Sequence, residues 1–507
     1  MRVSGAVLAA MLAASMPGVA QGTPASEEYR PHYHFTAARN WINDPNGLVF
    51  VDGRYQLFYQ YNPYGERWGH MSWGHADSAD LLHWRELPVA IAEDSAYMIF
   101  SGSIVVDPDN SSGFGDAGAT PLVAVYTGYR RDASQIQNQQ LAYSRDRGLT
   151  WVKYSGNPVL DLQLRAFRDP KVFWHEPTRR WIMAAVLSDA RKVTFYGSKN
   201  LKEWQHLGDF GPAGAVDGVW ECPDIFALPV TGSAGEARWI LKVDVFKSAV
   251  AQGSGAQYFV GQFDGRTFVP DSGSSARPVD YGKDFYAAAS WSNLPAGGRH
   301  LWVAWMNNHE YAQDTPTTPW RGMMTVPRAV SLGRTAGGVE LLQSPAGELP
   351  SLRSQHRRRA DVPLRQMPTL VEAKLDPASE IIVTFEAGSA AEVGLEVRVG
   401  HDEKTVIGYD VTAQRLFVDR SHSGRTDFNA KFAGRESAPL TLSDGSLTLH
   451  ILLDAASVEV FAGNGARVFT EQIFPSASSL GLRAYANGGK AVLKSLDSWT
   501  LSSKRGG

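Results

Sequence analysis

Three carboxylates stand in short polar strings that each open an apolar run: Asn43-Asp44-Pro45-Asn46-Gly47, Arg168-Asp169-Pro170 and Glu221-Cys222-Pro223-Asp224. Breaking a glycosidic bond takes one carboxylic acid to protonate the leaving oxygen and one carboxylate across the anomeric carbon, which attacks it or activates water. Asp44 lies among Asn43, Asn46 and the turn formers Pro45 and Gly47, where amides keep a carboxylate ionised, as a nucleophile requires. Glu221 sits between Trp220 and Cys222-Pro223, partly apolar company that, with a negative charge nearby, raises a carboxyl pKa and suits an acid/base. Asp169 follows Arg168, a neighbour that fixes its charge and suits it to orient sugar hydroxyls. Taken singly, each string is an ordinary turn or surface ion pair. What singles them out is a shared place in a repeat.

Two repeats run through the first two thirds of the chain. Ser78-Ala79-Asp80-Leu81-Leu82-His83-Trp84, Ser144 to Trp151 and Ser198 to Trp204 each read as strand, polar turn and Trp-led strand, with a fainter copy at Phe263 to Phe268. The serines lie 66 residues apart (78 to 144) and then 54 (144 to 198), room for four strands and their turns. In another phase, polar residues open apolar strands at Asp44, Ser101, Asp169, Glu221 and Asp284, spaced 57, 68, 52 and 63. Four-stranded repeats of this kind mark a propeller, and five of them fill the chain from about Tyr33 to Gln343. Equal phase in a closed radial repeat means equal height around the axis, so the three acids are expected to converge on one end of the channel.

Four ordered motifs resemble glycoside hydrolase family 32, the invertases, inulinases and levanases. They are Trp41-Ile42-Asn43-Asp44-Pro45-Asn46-Gly47, Phe100-Ser101-Gly102-Ser103, Phe167-Arg168-Asp169-Pro170 and Trp220-Glu221-Cys222-Pro223-Asp224. The resemblance extends through Gln56 to Pro63, Trp73 to Ala76, Asp284 to Ala288 and Trp302 to Asn307, and is nearest in flavour to bacterial levanase or exo-fructanase. It implies a five-bladed propeller followed by a β-sandwich, and hydrolysis with retention. Carried over, Asp44 is the nucleophile, Glu221 the acid/base and Asp169 the transition-state stabiliser. The fructosyl pocket would include Asn43, Gln60, Trp68, Phe100, Ser101, Arg168, Cys222 and Trp305. Ile42 departs from the Met of many members, a volume-similar exchange.

The expected fold is therefore all-β: a propeller over 30–345, a polar, basic linker over 346–362 and a sandwich over 363–507, whose alternating strands include Ile381 to Phe385 and Leu447 to Leu453. Residues 1–20 read as a secretory signal, with an apolar stretch from Ala6 to Met16 and small residues near Ala20 for cleavage. That stretch is shorter than the ~20 residues a membrane span needs, so no anchor is expected. Cys222 is the sole cysteine, which excludes an intramolecular disulfide. With 20% charged residues and a net charge of −3 there is no basic surface for nucleic acid. His32, His34, His70 and His75 lack a ligand pattern, so neither metal nor cofactor is expected. Cys222 reads as a packed neighbour of Glu221 rather than a thiol nucleophile, and Trp68 and Trp73 as sugar platforms or core.

The expected activity is exo-action on levan or inulin, with sucrose also cleaved. A sucrose-preferring invertase, a fructosyltransferase and a propeller lectin that binds fructan without cutting it remain alternatives.

Overall fold

The computed structural model describes residues 27–502 except 117, 249, 251–252, 273–274 and 443, so the signal sequence read at 1–20 lies outside the described residues. Seven antiparallel-rich sheets make up the fold. Five are blades, whose first strands are Asn40–Val51, Tyr97–Val106, Phe167–His175, Val219–Pro229 and Tyr286–Ser290. Trp320–Arg321, from the last blade's stretch of chain, pairs in parallel with Asn40 and Trp41, and so ties the ring shut. Apolar side chains pack between neighbouring blades, for example Val186, Phe195 and Phe210 against Ile225, Val243 and Phe259.

The tandem Ser-to-Trp signature is the turn between the third and fourth strands of a blade. Asp80 caps the backbone N–H groups of Leu82 and His83, Leu81 takes a φ of +66°, and the Trp84 indole donates to the Leu81 carbonyl. Asn200, Leu201 and Trp204 repeat that arrangement. An acceptor side chain satisfies N–H groups that the ladder leaves free, and the indole locks the turn. The repeat is thus a hydrogen-bonding device.

All five first strands break register near the same end, between Ile42 and Pro45, Ile99 and Gly102, Arg168 and Lys171, Glu221 and Asp224, and Tyr286 and Ala289. These are β-bulges, which re-aim side chains. Asp169, Cys222 and Ala287 occupy the same bulge position at φ +61°, +45° and +56°. Such a backbone costs roughly 1–3 kcal/mol at a residue with a Cβ, so three in register show that the bulge is built into the blade. The register corrects the equal phase read from sequence. Asp44 and Ser101 are the second bulge residues, Asp169 is a first, and Glu221 stands just before its bulge.

The sandwich follows as two six-stranded sheets around Ile381, Val383, Phe385, Leu395, Leu449 and Ile451. The stretch 346–362 is a linker only at its start. From Arg353 it is the strand Arg353–Leu364, laid antiparallel on Ala491–Leu501 at the edge of one sheet. An exposed edge strand carries charge that discourages further pairing, which is why its composition resembled a solvated linker.

Candidate active site

Side chains at or beside the bulges of the first four blades, with His309, Ala312 and Gln313 from the loop after the fifth blade's second strand, line a cavity of about 400 Å³ at the propeller mouth. Asp44, Asp169 and Glu221 all line it, together with Asn43, Gln60, Trp68, Phe100, Ser101 and Arg168. Asp44 accepts Asn43 Nδ2 at 3.0 Å on one oxygen and the Ser101 hydroxyl at 2.6 Å on the other. Asn43 is itself fixed by the Trp41 indole N–H at 2.7 Å. Asp169 accepts the Cys222 backbone N–H at 3.0 Å. Glu221 accepts Arg168 Nη2 at 2.8 Å and the Tyr286 hydroxyl at 2.5 Å.

Arg168 therefore serves Glu221, whereas its Nε stands 3.8 Å from Asp169. Gln137 and Ser188 hold the same guanidinium from the other side. This reverses the charge assignment expected from adjacency in sequence. Burial pushes Asp169 up to about 7, with the Glu221 and Asp44 charges adding to it against Arg168. Burial also pushes Glu221 upward, but the Arg168 charge, then His309 and the Tyr286 hydrogen bond, outweigh it and hold this carboxyl below the usual range. The two carboxyls are thus pushed in opposite directions, Asp169 up and Glu221 down. The reason is geometric: the αL bulge turns Asp169 away from the side chain that precedes it, and Arg168 reaches across to the fourth blade.

Two expected pocket residues stand elsewhere. Trp305 is fully buried behind the wall, against Trp41 at 5.8 Å and His309 at 5.1 Å between ring centroids. Cys222 lies beneath the mouth, its sulfur 3.5 Å from Asp44 and 3.7 Å from Asp169. Burial and those two carboxylates push its thiol well up, so it remains a protonated donor and no nucleophile. Trp73 is core, donating to the Phe100 carbonyl. Trp68 is 44% exposed at the rim and edges onto Phe100, which stacks on Tyr129. Asp284, read as the fifth blade's leading polar residue, is at the junction with the sandwich, bonded to Tyr311, Arg420 and Gln472.

The mouth also contains residues that sequence reasoning passed over: Tyr129, Gln137, Phe246, His309, Ala312 and Gln313, with Tyr286 behind Glu221. Tyr286 was in view within the Asp284 to Ala288 motif, and His309 two residues past the Trp302 to Asn307 motif. Burial pushes the His309 pKa down, against the Glu221 and Asp44 charges, and its Nε2 is buried without a hydrogen-bond partner. Below the mouth, Lys242 donates to the carbonyls of Cys222 and Ala288 and to Asp244, bracing the fourth and fifth bulges. Among the described residues no group of three or more His, Cys, Asp or Glu is arranged to hold a metal ion. No helix there is long and apolar enough to cross a membrane.

The chain is 46% identical over 478 residues to a levanase of Bacillus subtilis (strain 168), covering 93% of this chain and 70% of that protein. It is 39% identical to an extracellular exo-inulinase of Aspergillus ficuum, over 95% and 96% of the two chains. The crystal structure of an exo-inulinase from Aspergillus awamori superposes with a TM-score of 0.89 at 39% identity, over 94% of this chain and 99% of that one. A fructofuranosidase from Schwanniomyces occidentalis, solved with fructose, gives 0.86 at 31% identity over 94% and 99%. Residues 34–345 match the glycosyl hydrolases family 32 N-terminal domain and residues 348–500 the family 32 C-terminal domain, so the chain belongs to glycosyl hydrolase family 32.

Proposed function

We propose that this chain is an exported hydrolase that releases terminal β-fructosyl units from fructans and also cleaves sucrose, with retention of configuration. The observation that carries the reading is the meeting of Asp44, Asp169 and Glu221, from three blades, around one cavity. All five blades and the loops between their strands wall that cavity, which suits a chain end better than a chain passing across. The levanase, exo-inulinase and fructose-bound relatives support the substrate class. Export accords with the N-terminal apolar stretch and with the extracellular relatives.

Asp44 is the nucleophile: hydrogen bonds from Asn43 and Ser101, with the Cys222 thiol beneath, aim it, and no Lys or Arg among the described residues pairs its charge. Glu221 protonates the leaving oxygen, then takes the proton of the water that opens the fructosyl-enzyme. Asp169 and Arg168 hold sugar hydroxyls. A hydroxyl donating to Asp169 favours its ionised form, which passes its proton to Glu221 as the substrate arrives. The resting charge distribution is thus one that substrate corrects.

Asp44→Asn should lower release of reducing sugar from levan and sucrose by at least ~10³-fold. Undiminished release would overturn the assignment of Asp44. Chromatography of early products from wild-type enzyme on levan should show fructose; exclusive release of oligosaccharides would overturn exo action.

A further inference from the structure

One guanidinium of the sandwich reaches a segment that lines the pocket and a second that stands directly behind it. Arg420, on the strand Arg415–His422, is 1% exposed. Its Nη1 donates to Asp284 Oδ2 and to the Gln472 carbonyl, its Nη2 to the Tyr311 hydroxyl at 2.6 Å, and its Nε to the Phe432 carbonyl at 2.9 Å. Tyr311 in turn donates to Asp284 Oδ1 at 2.7 Å. Glu471 also faces Arg420 at 2.8 Å, with Glu436 and Lys283 beyond it. Arg420 Nη1 is thus shared between Asp284 and Glu471, and burial pushes Glu471 up to about 8.

Both partners of Arg420 belong to chain that continues into the pocket. Two residues beyond Asp284 is Tyr286, the donor to Glu221, followed by Ala287 in its αL bulge. Tyr311 stands between His309 and the pair Ala312 and Gln313, all three of which line the cavity. Asn308 ties the two segments again through its bond to the Lys283 carbonyl. We propose that Arg420 is a positioning residue for the catalytic pocket, through which the sandwich sets the placement of Tyr286 on Glu221 and of the His309–Gln313 wall. The sandwich is then a working part of the site rather than an appended module. Through Tyr286 the arginine acts on the acid/base without touching substrate. The inference rests on the reading of the mouth as a fructosidase site.

Arg420→Lys and Tyr311→Phe test it against His34→Gln. His34 is buried at the same junction between Asp454 and Glu459, but belongs to no segment lining the pocket. With sucrose as substrate, Arg420→Lys and Tyr311→Phe should lower kcat ~10-fold or more, with KM rising less. The alkaline limb of the pH profile should move upward as the Tyr286 bond to Glu221 slackens. His34→Gln should lower Tm and leave kcat and the pH profile in place. A folded Arg420→Lys protein with wild-type kcat and pH profile overturns the inference, as does a His34→Gln protein that shows the same shifts. If Arg420→Lys does not fold, Tyr311→Phe decides by the same readouts. A wild-type protein without turnover of sucrose or levan overturns the functional reading and this inference with it; turnover with unmoved variants overturns this inference alone.

Discussion

At the propeller mouth Arg168 pairs with two of the three carboxylates, Glu221 and more distantly Asp169, and the cavity beside them is open. At the junction with the sandwich each of the acids has a cation in contact, with Arg328 and Arg420 each shared between two. Arg328 takes Asp280 and Glu459, Arg420 takes Asp284 and Glu471, and His34 bridges Asp454 and Glu459. His34 is pushed up to about 9, because its two carboxylate bonds outweigh the burial that opposes its charge. Both regions are buried, so composition does not separate them. The difference is that the junction is closed and turns its cations on its own acids, whereas the mouth presents its acceptors to an open cavity where a ligand can rearrange them. A buried charge cluster that is satisfied specifies docking; one left short is poised for chemistry.

Removing one group from each region should sort them. Glu221→Gln should show the largest effect, a fall in kcat of ~10²–10⁴-fold, with little change in stability because an amide oxygen still accepts from Arg168. Loss of stability with preserved turnover would mean the mouth is wired like the junction. Arg328→Ala should do the converse, destabilising by ~3–5 kcal/mol, since Asp280 and Glu459 are then buried without their cation. Chemical denaturation measures it. An unchanged midpoint would mean that water or His34 can stand in for the guanidinium.

Much of the mouth was legible because its signals are local. Asp44, Ser101, Asp169 and Glu221 sit in turn-like strings beside Pro or Gly, and the Ser-to-Trp turns count the blades by bonds that close within a few residues. Contacts between distant residues were not legible. The choice of Arg168 between Asp169 and Glu221 depends on an αL bulge and on a residue 53 positions away. Asp284 looked like the fifth blade's counterpart of the leading polar residues because it opens an apolar strand, yet it stands three residues before the bulge and meets Arg420 136 positions on. Trp305 belongs to a strand that lies one layer behind the first strands. The charges of Arg353–Leu364 resembled a linker because edge strands and linkers are both solvated.

The smallest effect probes the proton itself. With Asp169 pushed up to about 7, the carboxylate cluster gives up a proton as pH rises through that value. An acid-dependent kcat/KM should therefore fall as pH rises through about 7. Tyr286 donates to the ionised form of Glu221, and a hydrogen bond to the charged form lowers a pKa. Tyr286→Phe removes that donor, so the Glu221 carboxyl binds its proton more tightly and the alkaline limb should move upward. The shift should stay below about one unit, some 1.4 kcal/mol, because Arg168 remains in place. The pH dependence of kcat/KM for sucrose, wild type against Tyr286→Phe, measures it. A limb that stays fixed would mean the proton lost near pH 7 is not shared with Glu221. A limb that moves down would mean that Tyr286 stabilises the protonated cluster, and that the mouth holds its acid by the same matched bonding as the junction.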